Sequence, residues 1–343
     1  MAEEINATVV ADNADAFVIT DEDLVIAADV PVSTKKKGDI PDMKPVGNKA
    51  KSWLYRHTIG AAKAAGPGKS VLFSVVFILF VIYALLLIVP FAWIVLNSFK
   101  DPIAFGADKW SLSFSAGFQN YIEAFNYKVK GTSVVGMYLN SLLVVGGGVV
   151  VTLISCTLAS YTMAKYKFRG RGIIYNIVII SMMVPIVGTL PAQYRLMKNL
   201  GLVDNIVGVW FLYSGGFGFN FLFLYAYFKS ISWTYAEAAQ IDGASDFRIF
   251  IQIMVPMARP ALTAVGVLTF MGLWCDYQTP YFYLNSMPTI ALGLKDMSDQ
   301  LAYDPNYPLV LATAVTATIP ILILFCAFQK TIMNNMTVGG LKG

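Results

Sequence analysis

The chain has 343 residues, 57% of them hydrophobic and only 13% charged, with a formal net charge of +4. A soluble domain of this size needs many more charges to cover its surface. Cys156, Cys275 and Cys326 all fall inside apolar runs and His57 is the only histidine, which argues against a disulfide framework and a structural zinc site.

The first 69 residues read as a separate cytoplasmic extension. Up to Thr34 there are eight acids and no Lys or Arg, and from Lys35 to Lys69 nine bases dominate. No apolar core of signal-peptide type precedes the first span, so nothing here looks cleaved. The composition predicts a disordered acidic tail followed by a basic juxtamembrane stretch that meets anionic lipid. Trp53, Leu54 and Tyr55, set among basic residues, leave a regulatory or docking role open. Lys63 to Ser70 ends like a phosphate-binding loop, but a lysine stands where its first glycine is required and no strand precedes it. No nucleotide site is read from this chain.

Residues 70–343 read as an all-α integral membrane domain. Six transmembrane helices are predicted, at Val71–Leu96, Met137–Tyr161, Gly172–Leu190, Ile206–Phe228, Ala261–Leu284 and Leu309–Phe328. Each is near the ~20 residues that cross ~30 Å of hydrocarbon. Pro185 and Pro191 interrupt the end of the third, where neighbouring helices must satisfy the freed carbonyls. Six crossings leave both termini on one side. Of the 25 Lys and Arg residues, 18 fall on that side, so both termini are placed in the cytoplasm.

Inside the spans, Gly146, Gly147 and Gly148, then Gly215, Gly216 and Gly218, suit close helix packing, with a hinge or pore constriction as the alternative. Buried carboxylates or bases, which ion-coupled transport uses, are almost absent. Asp276 is the exception. It is either an interfacial residue wetted by the outer loop or part of a substrate path shared with Trp274 and Tyr277. Tyr277, Tyr281 and Tyr283 suit interfacial anchors or a sugar-stacking surface. No nucleophile, base or metal-ligand set converges, so catalysis by this chain is not expected.

The loop from Lys229 to Pro260 is too long for a simple connection and carries helical pattern of its own. Thr234 with Glu237 fits a capping box, and Glu237 lies near the positive end of the helix dipole. Ala236, Ala238 and Ala239 keep the helix narrow enough to enter a groove on another protein. Asp242 and Gly243 supply a stop. Ser245 or Asp246 can cap a second helix, with Phe247, Phe250, Ile251 and Met254 as an apolar face for the membrane surface. Pro256 and Pro260 punctuate the start of the fifth span. From these residues alone, an ordinary interfacial loop remains an equal reading.

Glu237-Ala238-Ala239, then Gly243, then Ile253-Met254-Val255-Pro256 resembles the EAA loop of ABC importer permeases, with Val255 where that pattern wants leucine. Asn97-Ser98-Phe99-Lys100, Met182 to Pro185, Lys198 to Leu202, Trp274 to Tyr277 with Pro280, and Gly339 to Gly343 extend the likeness. Together they are similar to the shorter, six-span subunit of the maltose-type carbohydrate permease family, from about Ser70 to Gly343. Cys275 stands where that family usually has asparagine, and the leader has no counterpart.

The resemblance implies a six-helix ABC importer permease in the cytoplasmic membrane of a bacterium or archaeon. It implies a hetero-dimer with a second permease, two ATPase subunits that bind ATP and Mg, an extracellular or periplasmic solute-binding protein, and a sugar or oligosaccharide as cargo. Glu237, Ala238, Ala239, Asp242, Gly243 and Pro256 would then contact the ATPase. The tail at Gly339–Gly343 would be a second contact, and the partner permease would hold most substrate contacts. No cofactor on this chain and no nucleic acid are expected. A permease for a non-carbohydrate substrate, or a self-contained secondary transporter, stays open as an alternative.

Overall fold

A computed structural model describes residues 67–183, 188–215 and 218–336. Outside them lie the leader with Trp53, Leu54, Tyr55 and His57, then Val184 and Pro185, Gly216, and the tail at Gly339–Gly343. Two compact units divide the chain, Met1–Phe77 and Ile78–Gly343.

The first helix, α1 (Pro67–Asn97), begins at a proline, whose fixed φ and missing N–H suit the first helical turn. Every residue from Ile78 to Val89 is exposed and the run is apolar on all sides, as on a helix that faces hydrocarbon. Its C-terminal carbonyls are taken up locally. Asn97 Nδ2 donates to the Trp93 carbonyl at 2.8 Å, and Asn120 Nδ2 donates to the carbonyls of Ser98 and Lys100 at 2.8 and 2.7 Å. Lys100 is fully buried, its Nζ donating to the Asp108 carbonyl at 2.9 Å. Asp101 caps the short α2 (Pro102–Ala107) by accepting the Ala104 N–H at 2.7 Å, which holds its carboxyl below the usual range.

After α3 (Gln119–Asn126), a two-residue hairpin pairs β1 (Lys128–Val129) with β2 (Thr132–Ser133), turning at Lys130 and Gly131, both at positive φ. The Ser133 hydroxyl then accepts the Gly136 N–H and starts α4 (Val134–Lys165), 32 residues and so ~48 Å long. The remaining elements are α5 (Arg171–Met183), α6 (Leu190–Asn199), α7 (Ile206–Ser214) and α8 (Phe219–Ser230). They continue as α9 (Thr234–Ile241), α10 (Asp246–Ile249), a π turn (Phe250–Met254), α11 (Val255–Met257) and α12 (Arg259–Trp274). The last three are α13 (Gln278–Tyr283), α14 (Ile290–Gln300) and α15 (Tyr307–Met336).

Helix α4 is the axis of the second unit, packed against α7, α8 and α12, while α12 also packs on α15. Its glycines set how close α7 comes. A Cβ on Gly147 would fall 2.1 Å from Trp210 Cε2, and one on Gly148 would fall 2.7 Å from Tyr213 Cδ2. Nothing lies near Gly146, so the packing role holds for two of the three. Polar side chains stitch the same contacts. Trp210 Nε1 donates to the Val144 carbonyl at 3.1 Å, Thr152 Oγ1 to the Tyr213 carbonyl at 3.0 Å, and Ser160 Oγ to the Phe221 carbonyl at 3.0 Å. Such bonds hold membrane helices together where burial of apolar area cannot.

Among the described residues, three helical stretches are long and apolar enough to cross a membrane: Val71–Asn97, Val134–Lys165 and Tyr307–Thr331. The other predicted spans are shorter or broken. Leu190 opens α6 instead of closing the third span, because Pro191 sits in the first turn of a new helix. The apolar run 206–228 divides into α7 and α8 around Gly215 and Gly218. A Cβ on Gly218 would meet nothing within 4 Å and one on Gly215 only the Leu212 carbonyl at 3.6 Å, so these glycines break a helix without seating a neighbour. The predicted fifth span ends early, at Trp274, and resumes as α13 after Cys275, Asp276 and Tyr277.

Candidate functional site

The segment between α8 and α12 folds as a compact bracket on the C-terminal end of α4. Tyr161 of α4 is its hub, with ring centroids 5.6 Å from Phe228 and 4.7 Å from Phe250. Around them Leu224, Ala236, Ile249, Met254, Ala258 and Ala261 form one buried cluster. Trp233, just before α9, packs edge-on against Tyr166 at 6.0 Å, and Lys165 Nζ lies 6.0 Å from the Trp233 ring centre while donating to the Ile231 carbonyl. The last turn of α4 therefore grips the start of α9. A lysine there also complements the negative end of the α4 dipole.

The capping box expected of Thr234 and Glu237 does not form. Trp233, in helical conformation, is the first flanking residue of α9; its carbonyl accepts the Ala236 and Glu237 N–H groups, and the Ser232 hydroxyl accepts the Thr234 N–H at 3.3 Å. Packing of the Trp233 ring fixes where the helix starts, and that overrides the local signal.

The predicted stop is present. Gly243 has φ +79°, its N–H donates to the Gln240 carbonyl at 3.0 Å, and the Ala244 N–H donates to the Ala239 carbonyl at 2.9 Å. This pair of bonds is a Schellman ending, which satisfies the last carbonyls of α9. Ser245 caps α10 through the Arg248 N–H at 3.4 Å, so of the two candidates serine is the cap.

The face expected to lie on a membrane divides in two. Phe247 is 73% and Ile251 47% exposed, but Phe250 and Met254 are buried in the cluster around Tyr161. The π turn at Phe250–Met254 is the physical reason. Pro256 lacks an N–H and crowds the carbonyl four residues back, and the wider turn relieves that crowding while shifting the helical register. At Ala258 the chain bends by 74° into α12, between Pro256 and Pro260.

Of the residues singled out in the sequence, Glu237, Ala238, Asp242 and Gly243 are exposed together on α9 and its C-terminal turn. Ala239 is half-buried, and Pro256 is half-buried at the start of α11. Beside the exposed group stand Tyr235 at 54% and Ile241 at 87% exposure, which the sequence reading passed over. Their spacing with Ala238, every third residue, was the signal that places them on one helical face. The result is a short projecting helix with an apolar stripe, a carboxylate near its positive end and a side-chain-free turn. Its shape suits insertion into a partner, and none of its groups is arranged for catalysis.

The second group lies where α12 gives way to α13. Asp276 accepts the Tyr213 hydroxyl at Oδ2, 3.0 Å, and the Thr279 N–H at Oδ1, 3.0 Å. Trp274 is buried, stacks on Phe270 at 5.4 Å and donates Nε1 to the Ala317 carbonyl at 3.0 Å. Tyr277 and Tyr281 are exposed, whereas Tyr283 is buried and hydrogen-bonds Gln193 Oε1 at 3.2 Å. Trp274 and Tyr283 thus act in packing here, and Tyr213 is an Asp276 partner that no local sequence signal reveals.

Residues 152–336 match the family described as binding-protein-dependent transport system inner membrane component. The chain is 28% identical to the diacetylchitobiose uptake system permease protein of Streptomyces coelicolor, over 81% of this chain and 92% of that protein. It is 31% identical to the maltodextrin transport system permease protein of Bacillus subtilis, over 79% of this chain and 95% of that one. Among solved structures, it is similar to a bacterial ABC transporter involved in the import of the acidic polysaccharide alginate, with TM-score 0.65 and 26% identity over 77% of this chain and 98% of that chain. Bracket, projecting helix and matched segment coincide: this chain belongs to the family of binding-protein-dependent transport system inner membrane components.

Proposed function

We propose that this chain is one of the two permease halves of an ATP-driven importer for a sugar or oligosaccharide. Its spans are α1, α4, α5, the broken pair α7 and α8, α12 and α15, with both termini and the α9 bracket in the cytoplasm. The observation that carries this reading is the projecting α9, which exposes Glu237, Ala238 and Asp242 beside the Gly243 turn while its base is clamped to α4. A helix so held can pass a rigid-body displacement from an ATPase subunit to the span behind it. Glycine at the turn leaves room for the ATPase surface to approach.

The names of the relatives support a carbohydrate cargo, since they specify diacetylchitobiose and maltodextrin. A second permease, two ATPase subunits carrying ATP and Mg, and a solute-binding protein complete the machine. In support, a structure sharing this fold is that of an alginate transporter in complex with a pentasaccharide-bound periplasmic protein. The assembly sits in the cytoplasmic membrane as a multi-pass complex, and the chain itself performs translocation and no chemistry.

The test is uptake by cells from which this chain is deleted, with labelled diacetylchitobiose, maltotriose and raffinose as probes. The expected result is loss of uptake of at least one probe, restored by the wild-type chain and abolished by an ATPase inhibitor. Unchanged uptake of all three would overturn the carbohydrate reading.

A further inference from the structure

Next to Asp276, the first turn of α6 and the short α13 enclose a cleft of about 460 Å³. That volume lies within the ~300–1,000 Å³ usual for small-molecule sites. Resting on the reading of this chain as a sugar importer subunit, we propose that this cleft is a contact site for an uncharged oligosaccharide, held through the amides of Gln193 and Gln278.

The chemistry of the lining carries the proposal. Its polar members are Thr189, Gln193, Gln278 and Thr279, and Phe282 supplies aromatic surface. Among the described residues, no Lys, Arg, Asp or Glu lines it. Sugar hydroxyls both donate and accept, and so do amides and threonine hydroxyls. The C–H face of a pyranose is matched by aromatic rings, which offer apolar area in a fixed orientation. An acidic sugar needs a cation to offset loss of its hydration shell, and the described residues of this cleft supply none. Behind Thr279 stands the Asp276 carboxylate, 3.0 Å from the Thr279 nitrogen, and its charge disfavours a second carboxylate nearby.

The wall formed by Gln193 and Tyr283 is held before any ligand arrives. One end of the Gln193 amide bonds the Tyr283 hydroxyl, which leaves the other end for a ligand. The Asp204 N–H donates to the Tyr283 carbonyl at 2.8 Å, and Asp204 Oδ1 accepts the Ser286 N–H at 2.8 Å, so the segment before α7 is tied to the end of α13. Gln278 opens α13 and is exposed, with its backbone fixed by the turn around Asp276. Preorganised polar groups of this kind lose little freedom on binding. In transporters, the donors and acceptors along the path set selectivity. This chain therefore discriminates substrates itself, in addition to whatever its partner permease contributes.

The experiment is transport kinetics in cells carrying the full importer, with Gln193→Ala, Gln278→Ala and the double variant. The probes are whichever of diacetylchitobiose, maltotriose or raffinose depends on this chain, with trigalacturonate as the acidic counterpart. With two hydrogen bonds to the ligand lost, the double variant is expected to raise the apparent KM about tenfold. Maximal rate, chain level and recovery of the partner permease should stay at wild-type values, and trigalacturonate should not be carried. Wild-type kinetics in the double variant would overturn the cleft while leaving the importer reading intact. Loss of the partner permease from the variants would make the cleft a subunit interface, and uptake of trigalacturonate alone would overturn the uncharged substrate. If no probe depends on the chain, the carbohydrate reading on which the cleft rests fails, which is a different result from any of these.

Discussion

The hydroxyl of Tyr213 donates a 3.0 Å hydrogen bond to Oδ2 of Asp276, joining the last turn of α7 to the break between α12 and α13. Both residues sit where an apolar run stops being a continuous helix. The Tyr213 carbonyl, freed near the end of α7, is taken by Thr152 of α4. One tyrosine thus ties three helices.

Tyr213→Phe removes this bond and leaves a half-buried carboxylate with one protein donor fewer. A hydrogen bond to a charged group is worth ~1.5–3 kcal/mol, so the solubilised complex should melt several degrees lower than wild type. Asp276→Asn keeps an acceptor for the Thr279 N–H and places an amide N–H where the Tyr213 oxygen can accept it, so it should lose less. A thermal melt of the two variants checks the order; equal losses would mean that the bond itself matters little.

Gly147→Ala drives a methyl group to within 2.1 Å of the Trp210 indole, and that indole is held by its bond to Val144. Overpacking of this kind costs ~1–3 kcal/mol. The variant should accumulate poorly in the membrane, whereas Gly146→Ala, facing open space, should match wild type. Trp210→Phe in the Gly147→Ala background should recover part of the loss. Membrane abundance of the four chains decides it, and equal abundance of both alanine variants would contradict the packing.

Lys165→Met severs the grip of α4 on the start of α9. The lost contacts are a charged hydrogen bond to the Ile231 carbonyl and a cation–π contact with Trp233, the latter worth ~0.5–2 kcal/mol. The expected outcome is uncoupling: ATP hydrolysis persists while sugar carried per ATP falls severalfold. An unchanged ratio would show that the bracket transmits force through other contacts.

Much of this was legible in the sequence, because membrane spans announce themselves by composition. The long helices α1, α4 and α15 follow from unbroken apolar runs, and Gly243 declared its left-handed turn. What stayed hidden depended on tertiary partners. The start of α9 is set by Trp233 against Tyr166, the division of Phe247 and Ile251 from Phe250 and Met254 by a π turn, and the α12 break by Asp276 bonding across to Tyr213. Gln193 and Gln278 lie 85 positions apart, so only the fold brings them to one cleft.

The most direct measurement is a pull-down of the tagged chain from mild detergent, comparing wild type with Gly243→Asp and Gly243→Asn. A side chain at φ +79° carries strain of ~1–2 kcal/mol, which Asp and Asn tolerate best, and a Cβ there meets nothing within 4 Å, so both variants should fold and insert. Wild type should bring down an ATPase subunit and a second permease; Gly243→Asp should keep the permease and lose the ATPase, and Gly243→Asn should lose less of it. Recovery of the chain alone from wild type, stable and inserted, or undiminished ATPase with Gly243→Asp, would contradict α9 as the coupling helix.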